Sequence, residues 1–262
     1  MIGKSLLYPG FRYAGVLESI TSQRGLQSSI IRHAVSAYNL YGACLSIGTA
    51  YGDELAFFAR EGVLDHWSQI VGIDIVGEVG IDVLSQPDLA RFHDRLFFRQ
   101  LDLQQLPPPF GENYWDCIQC GFVLEDIEYA DKQYVYDKLF QSLNHRGMLI
   151  ISEMFVDNQK RSNGTDELRR QQISELYEYF LAEARESLKR KILTQDQYDL
   201  LCGNGQDPGL VSTMKMAING ARDYFETLEQ TEAHLLTAGF SDISYYPNPV
   251  FSLIGVIVAR KE

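Results

Sequence analysis

The chain has 262 residues, of which 45% are hydrophobic and 22% are charged, the composition of an ordinary globular protein with room for a large core. Its net charge is −12, because 35 Asp and Glu outnumber 23 Lys and Arg. A protein whose main partner is a phosphate backbone usually carries a basic surface, so this balance disfavours nucleic-acid substrates. The sequence shows no signal peptide and no membrane-spanning apolar run, and we expect a cytoplasmic location without membrane partners.

The predicted elements alternate between helices and short apolar strands. Apolar residues recur at helical spacing over 27–40, within an N-terminal helical segment that we assign to 1–42. Strands separated by helices are typical of a mainly parallel sheet covered on both faces, a Rossmann-like three-layer α/β sandwich. The predicted strands are 43–47, 69–74, 96–101, 116–120 and 147–152, and the predicted helices between them are 53–60, 87–94 and 132–143.

The segment 155–225 interrupts this alternation, because it contains no strand pattern. An amphipathic helix is predicted over 165–193, and a second helix is predicted to begin after Thr194, since Gln197 completes a capping-box pattern. We interpret 155–225 as a helical cap inserted over the carboxyl ends of the strands. The whole chain, 1–262, is then one domain with a cap.

The sheet resumes after the cap. Thr227 and Gln230 form a second capping-box pattern, which predicts a helix that stops at Gly239. Two strands follow, 242–246 and 253–260. The short segment between them predicts an antiparallel last strand, because a parallel crossover needs about a dozen residues. We therefore expect seven strands in total.

A CxxC pattern is formed by Cys117 and Cys120. Such a pattern can bind zinc or carry out redox chemistry. These two cysteines lie within a predicted strand, where residues three apart point to opposite faces, and no second CxxC or His pair completes a tetrahedral site. We therefore predict inert thiols and no metal site.

A glycine-rich turn follows the first strand, in residues 45–52 (LSIGTAYG). Glycine lets a backbone approach a ligand closely, because it lacks a Cβ. The turn has Ala50 where a GxGxxG dinucleotide motif has its second glycine, so it fits a ligand without a pyrophosphate better. Asp74 ends the second strand, where a carboxylate can accept hydrogen bonds from both ribose hydroxyls of an adenosine.

Five segments follow one another along the chain: 45–52, 73–75 (IDI), 98–107 (FRQLDLQQLP), 115–127 (WDCIQCGFVLEDI) and 143–153 (LNHRGMLIISE). In this order they resemble the motifs of class I S-adenosylmethionine-dependent methyltransferases of the small-molecule branch. The family usually has an acid at Ser46 and often a glycine at Ala50, so this chain departs from the pattern at both positions. The C-terminal residues 234–242 and 256–261 are similar to the last helix and reversed last strand of that family.

The resemblance implies S-adenosyl-L-methionine as cofactor and methyl transfer to O, N or C of a small-molecule acceptor, of the kind typical of specialised metabolism. In this family the acid of the third motif, here Asp102, contacts the adenine amino group. The residues that the resemblance assigns to the cofactor are Gly48, Thr49, Ala50, Asp74, Ile75, Asp102, Leu103 and Cys120.

The candidates for a general base are Glu153, which leaves the fifth strand at its carboxyl end, and His145 in the preceding loop. A base is optional, because the sulfonium already activates the methyl group and the main task is alignment. Three alternatives remain open: a protein that binds S-adenosylmethionine without methyl transfer, an enzyme similar to carboxy-S-adenosylmethionine synthase, and a nicotinamide-dependent oxidoreductase. The missing GxGxxG disfavours the last of these.

Overall fold

The computed structural model describes residues 18–49, 52–75, 79–103, 112–156, 165–203, 211, 225–251 and 253–262. The strands are β1 (Ala43–Ile47), β2 (Gln69–Asp74), β3 (Leu96–Gln100), β4 (Trp115–Gly121), β5 (Leu143–Met154), β6 (Ser241–Pro247) and β7 (Ile254–Arg260). The helices are α1 (Glu18–Tyr38), α2 (Asp53–Arg60), α3 (Val79–Ser85), α4 (Tyr129–Ser142), α5 (Thr165–Lys189), α6 (Gln195–Cys202) and α7 (Leu228–Ala238).

All seven strands form one sheet, in the order β3-β2-β1-β4-β5-β7-β6. The strands β1 to β5 pair in parallel, whereas β7 lies antiparallel to both β5 and β6. The predicted fold class is therefore confirmed, including the reversed last strand. Because β1 to β5 are parallel, their carboxyl ends meet at one edge of the sheet, which we call the carboxyl edge.

The two faces of the sheet are covered by different helices. One face packs against α1 and α2 through a buried cluster that includes Ile31, Leu55 and Cys117. The other face packs against α4 and α7, and its cluster includes Cys120, Leu139 and Leu235. Cys117 and Cys120 thus point to opposite faces, as the alternation of a strand requires, and the predicted separation of the CxxC thiols is confirmed.

Several elements differ from their predicted form or bounds, and the helix α3 (Val79–Ser85) was not predicted. Within the N-terminal segment predicted as helical over 1–42, α1 spans Glu18–Tyr38, and residues 1–17 lie outside the described residues. The region predicted as a helix over 87–94 is a 3₁₀ helix, Pro87–Phe92. The strand β5 begins at Leu143 rather than at residue 147, because Leu143 is buried and pairs with Trp115 across a register shift in β4. A bulge of this kind is not visible in the hydrophobic pattern of a single strand.

The helices α5 and α6 pack at the carboxyl edge. Their buried cluster includes Ile173 and Leu201 together with Met154 at the end of β5 and Ile254 at the start of β7. Thr194 begins α6 with the predicted capping box, and Thr227 begins α7 in the same way. Within the described ranges, no helix is both long and apolar enough to cross a membrane.

The first turns of α1 are tied to the same edge by buried hydrogen bonds. Gln23 Nε2 donates to Ser152 Oγ at 3.0 Å and to the Gly255 carbonyl at 2.7 Å. Asn248 Nδ2 donates to Gln23 Oε1 at 2.9 Å. Residues near the start of α1 therefore lie over the carboxyl end of β5 and the start of β7, although they are distant in sequence from both strands.

Candidate functional site

The carboxyl edge contains a topological switch point, because β1 is flanked by β2 on one side and by β4 on the other. In open α/β sheets, ligands bind in the crevice outside such a point. Gly48 follows β1 there with a φ of +70°, a conformation that favours glycine. A Cβ at this position would lie 2.8 Å from Val123 Cβ, so the turn requires a glycine for reasons of space as well.

Two predicted acids lie on the β2 and β3 side of Gly48. Asp74 ends β2, and its exposed fraction is only 5%. Its backbone carbonyl accepts a hydrogen bond from Leu101 N at 2.8 Å, which places the segment after β3 beside it. Asp102 is partly exposed in that segment, and Leu103 is buried. The structure thus brings these two carboxylates to one side of the crevice.

The other predicted cofactor residues lie around the same turn. Thr49 is buried with its methyl group against Gly72, where a Cβ would come within 2.9 Å of it. The Ile75 carbonyl accepts a hydrogen bond from Gln100 Nε2 at 3.0 Å. Cys120 pairs in register with Ile47, and burial raises the pKa of its thiol well above the ordinary value. Ala50 lies outside the described residues.

Glu153 lies at the carboxyl edge but is already engaged there. Its Oε1 accepts hydrogen bonds from the backbone N–H of Val123 at 2.9 Å and of Leu124 at 2.8 Å. Burial raises the pKa of Glu153, while these hydrogen bonds and one from Glu125 oppose the rise. The carboxylate therefore fixes the backbone of the loop that follows β4.

His145 does not lie with the other predicted residues. It occupies the amino end of β5, where it is exposed to solvent, whereas Glu153 occupies the carboxyl end of the same strand. The neighbouring Arg146 N donates to the Lys261 carbonyl beyond β7, which places this region at the amino edge of the parallel strands. The hypothesis of a catalytic His145 does not fit this position, and we exclude the residue from the site.

A group of polar residues on the α1 and α2 side was not predicted. Gln119 Nε2, in β4, donates to Ser46 Oγ at 2.9 Å and to Glu54 Oε1, at the start of α2, at 3.4 Å. On α1, Gln27 and Ser28 are fully buried, and Arg24 is partly buried. The contact between Gln119 and Glu54 joins residues that are far apart in sequence, so only the folded chain shows it.

Several buried polar atoms in this group have no hydrogen-bond partner among the described residues. They are Gln27 Nε2 and Oε1, Ser28 Oγ and Gln119 Oε1. Buried polar groups are nearly always hydrogen-bonded in native proteins, so each of these atoms is a candidate for a contact with a ligand. Of them, Gln119 Oε1 belongs to a side chain that already contacts Ser46 and Glu54.

A second buried group lies between α4 and α7, and we call it the Lys132 cluster. It consists of Lys132, Tyr136, Glu226, Thr231 and His234. Lys132 Nζ donates to the Leu124 carbonyl at 3.0 Å and lies 3.7 Å from Glu226 Oε2. Burial lowers the pKa of Lys132, and the charge of Glu226 raises it. Glu226 Oε1 lies 3.1 Å from His234 Nε2 but forms no hydrogen bond among the described residues. No group of three or more His, Cys, Asp or Glu in the described ranges could hold a metal ion.

Comparison with known proteins gives matches in structure alone. No protein-family model matches the chain, and no curated protein does. The structure of the DszA carbon methyltransferase is similar, with a TM-score of 0.62 and 14% identity over 96% of this chain and 56% of that one. The CurJ carbon methyltransferase is similar with a TM-score of 0.57 and 16% identity, over 96% of this chain and 57% of that one.

A third similar structure is the Burkholderia thailandensis 1,6-didemethyltoxoflavin-N1-methyltransferase, solved with its substrate and S-adenosylhomocysteine. Its TM-score is 0.52 and its identity 16%, over 92% of this chain and 78% of that one. This chain spans little more than half the length of the two carbon methyltransferases. The chain therefore has the Rossmann-like fold of the S-adenosylmethionine-dependent methyltransferases, which its sequence motifs resemble.

Proposed function

We propose that the chain is an S-adenosylmethionine-dependent methyltransferase that transfers a methyl group to O, N or C of a small-molecule acceptor. The observation that carries this proposal is the arrangement at the switch point. There, the left-handed turn at Gly48 lies beside the buried carboxylate of Asp74, and Asp102 follows in the adjoining segment. The turn lacks the glycines that a pyrophosphate requires, which favours an adenosine ligand without phosphates.

Each residue of the crevice then has a specific task toward the cofactor. Asp74 accepts hydrogen bonds from the ribose hydroxyls, and Asp102 accepts a hydrogen bond from the adenine amino group. Leu103 and Cys120 form apolar walls, since burial keeps the Cys120 thiol neutral. When bound, S-adenosylmethionine supplies an electrophilic methyl group on its sulfonium. The chain has to exclude water and align the acceptor with that group.

The cap helices and Glu153 belong to the acceptor side of this proposal. The helices α5 and α6 pack against Met154 and Phe122, directly beyond β5 and β4. Phe122 has a φ of +51°, a strained conformation of a kind that clusters at functional sites. Because both backbone N–H groups after Phe122 bond to Glu153, we assign Glu153 to holding this loop rather than to proton transfer.

Calorimetric titration with S-adenosylmethionine and S-adenosylhomocysteine tests the proposal. We expect saturable binding to the unaltered chain, and Asp74→Asn is expected to weaken it roughly tenfold to a hundredfold, because hydrogen bonds to a charged partner are lost. Asp88→Asn is the matched control, since Asp88 is 41% exposed and pairs with Arg60 at the surface. Failure of a folded sample to bind either ligand would overturn the proposal.

The same sample decides between the remaining alternatives. Transfer of a labelled methyl group to members of an acceptor panel supports the proposed activity, whereas binding without transfer to any member favours a protein that binds the cofactor only. Preference for a nicotinamide dinucleotide would indicate an oxidoreductase. The net charge of −12 leads us to expect transfer to small molecules and not to DNA or RNA.

A further inference from the structure

A narrow cavity lies beside the Lys132 cluster, at the carboxyl end of β5. Its wall includes Met154 at the end of that strand, Leu124 in the loop after β4 and Lys132 on α4. Met154 and Phe225, a further residue of the wall, pack in one cluster with the cap helices α5 and α6, so the cavity adjoins the cap. Its free space is about 10 Å³, which is the size of one water molecule or of an ammonium group.

The charged side chains of the wall are three glutamates and one lysine: Glu125, Glu153, Glu226 and Lys132. Glu125 and Glu153 form a hydrogen bond with each other, which requires a proton on one of the two carboxyl groups. With that proton and with the lysine, the four side chains carry one net negative charge. A net charge is costly to bury, so a ligand with one positive charge is favoured in this cavity.

Glu226 provides a separate indication of a ligand. Its side chain is 4% exposed, and its Oε2 accepts hydrogen bonds from Tyr136 Oη at 3.0 Å and Thr231 Oγ1 at 3.3 Å. Its Oε1 is buried and accepts no hydrogen bond among the described residues, although His234 Nε2 lies 3.1 Å away. Because buried polar atoms are nearly always hydrogen-bonded, this oxygen requires a donor from outside the described chain.

The type of donor follows from charge, size and the remaining wall. A water molecule has the right size and can donate to Glu226 Oε1, but it leaves the negative charge unbalanced. An ammonium group has the same size, donates hydrogen bonds and supplies the positive charge. Three aromatic residues also line the cavity, and aromatic rings attract cations. They are Tyr136, Phe155 and Phe225.

We propose that this cavity binds the primary ammonium group of a small-molecule amine, with Glu226 Oε1 accepting one of its N–H hydrogen bonds. The inference rests on the proposed function and names its acceptor class, an amine held by its ammonium group beside the cap. An ammonium nitrogen has no lone pair, so the methyl group goes to a different O, N or C atom of the same molecule. The cavity thereby orients the acceptor and is not the place of methyl transfer.

The experiment compares propylammonium with tetramethylammonium, both added as chlorides at equal concentration. The two cations have the same charge, but only propylammonium has N–H donors and an end that is small enough for the cavity. Urea denaturation measures the free energy of unfolding at each concentration, which rises when a ligand binds the folded chain alone. The site variant is Glu226→Gln. The matched control is Glu229→Gln, which removes an exposed carboxylate from the first turn of α7.

We expect propylammonium to stabilise the unaltered chain and the control saturably, with dissociation constants that agree within about twofold. Glu226→Gln should weaken propylammonium roughly tenfold to a hundredfold, because a hydrogen bond between charged groups is lost. Tetramethylammonium should have no more effect than sodium chloride. Equal stabilisation by the two organic cations, or unchanged binding of propylammonium by Glu226→Gln, would overturn the inference.

Two further measurements use the unaltered chain and do not depend on the folding of any variant. Stabilisation by ammonium chloride but not by propylammonium would mean that the cavity admits the free ion alone, and the inference would be wrong. Methyl transfer confined to acceptors without a primary ammonium group would overturn it as well. The salt titrations need no cofactor, so their result is separate from the proposed function, which fails if a folded sample binds neither S-adenosylmethionine nor S-adenosylhomocysteine.

Discussion

Replacement of Lys132 by Met is the change whose effect on stability the structure defines best. Lys132 is 3% exposed and faces Glu226, which is 4% exposed, at 3.7 Å. Glu226 Oε2 also accepts hydrogen bonds from Tyr136 Oη at 3.0 Å and Thr231 Oγ1 at 3.3 Å. The variant keeps the length of the side chain but leaves the buried carboxylate of Glu226 without its lysine.

The expected cost is set by this unpaired charge. Breaking a buried ion pair by removing one partner costs about 3–5 kcal/mol of unfolding free energy. Tyr136 Oη and Thr231 Oγ1 still donate to Glu226 Oε2 in the variant, so we expect about 3 kcal/mol, the lower end of the range. For a chain of this size, that loss lowers the thermal midpoint by roughly 6–12 °C.

Urea denaturation followed by tryptophan fluorescence measures the effect, because both tryptophans, Trp67 and Trp115, are buried. The matched control is Lys138→Met on the same helix, where Nζ contacts Gln141 near the surface and the expected change is within about 0.5 kcal/mol. In the double variant with Glu226→Gln, the charge is removed from both partners, and we expect a coupling of about 1–3 kcal/mol. A cost for Lys132→Met below about 1 kcal/mol, or simple additivity in the double variant, would refute this account of the cluster.

Two further predictions concern buried ionisable side chains. Burial raises the pKa of Glu54, so the unfolded chain loses this proton at lower pH than the folded chain, and the free energy of unfolding falls as pH rises above the ordinary range of a Glu carboxyl. In urea titrations, Glu54→Gln should therefore match the stability of the unaltered chain in acid and exceed it at neutral pH. A constant difference in stability at all pH values would contradict a raised pKa of Glu54. The four cysteines are buried, and burial raises the pKa of Cys44 and Cys120 well above the ordinary value, so a thiol reagent should modify none in the native protein and all four after denaturation. Rapid modification of the native CxxC would show that its thiols are accessible.

Local sequence patterns predicted most of the sheet. The strand Ala43–Ile47, the helix Asp53–Arg60 and the two capping boxes at Thr194 and Thr227 have their predicted positions, because apolar periodicity and cap chemistry are local properties. The helix predicted over 87–94 was wrong in type. Its six residues from Pro87 form a 3₁₀ helix, which shares with an α-helix the apolar pattern from which it was predicted.

The site was predictable in part. Gly48, Asp74 and Asp102 lie at ends of strands, and the parallel order of those strands is enough to bring them together. His145 precedes most of β5 in the sequence and therefore lies at the amino end of that strand, opposite the carboxyl edge where Gly48, Asp74 and Glu153 lie. Gln119 and Glu54 could not be related from the sequence, since their contact depends on how α2 packs against the sheet.

The position of β7 has a consequence for biosynthesis. It follows every other strand in the sequence, yet it lies between β5 and β6 and pairs with both. While a ribosome is still producing the residues before Ile254, β5 therefore has an open edge over Met148–Met154, where β7 later pairs with it. These residues are buried in the finished fold. An uncovered apolar strand edge can pair with other chains, so nascent or truncated forms that stop before β7 should require chaperones to avoid aggregation.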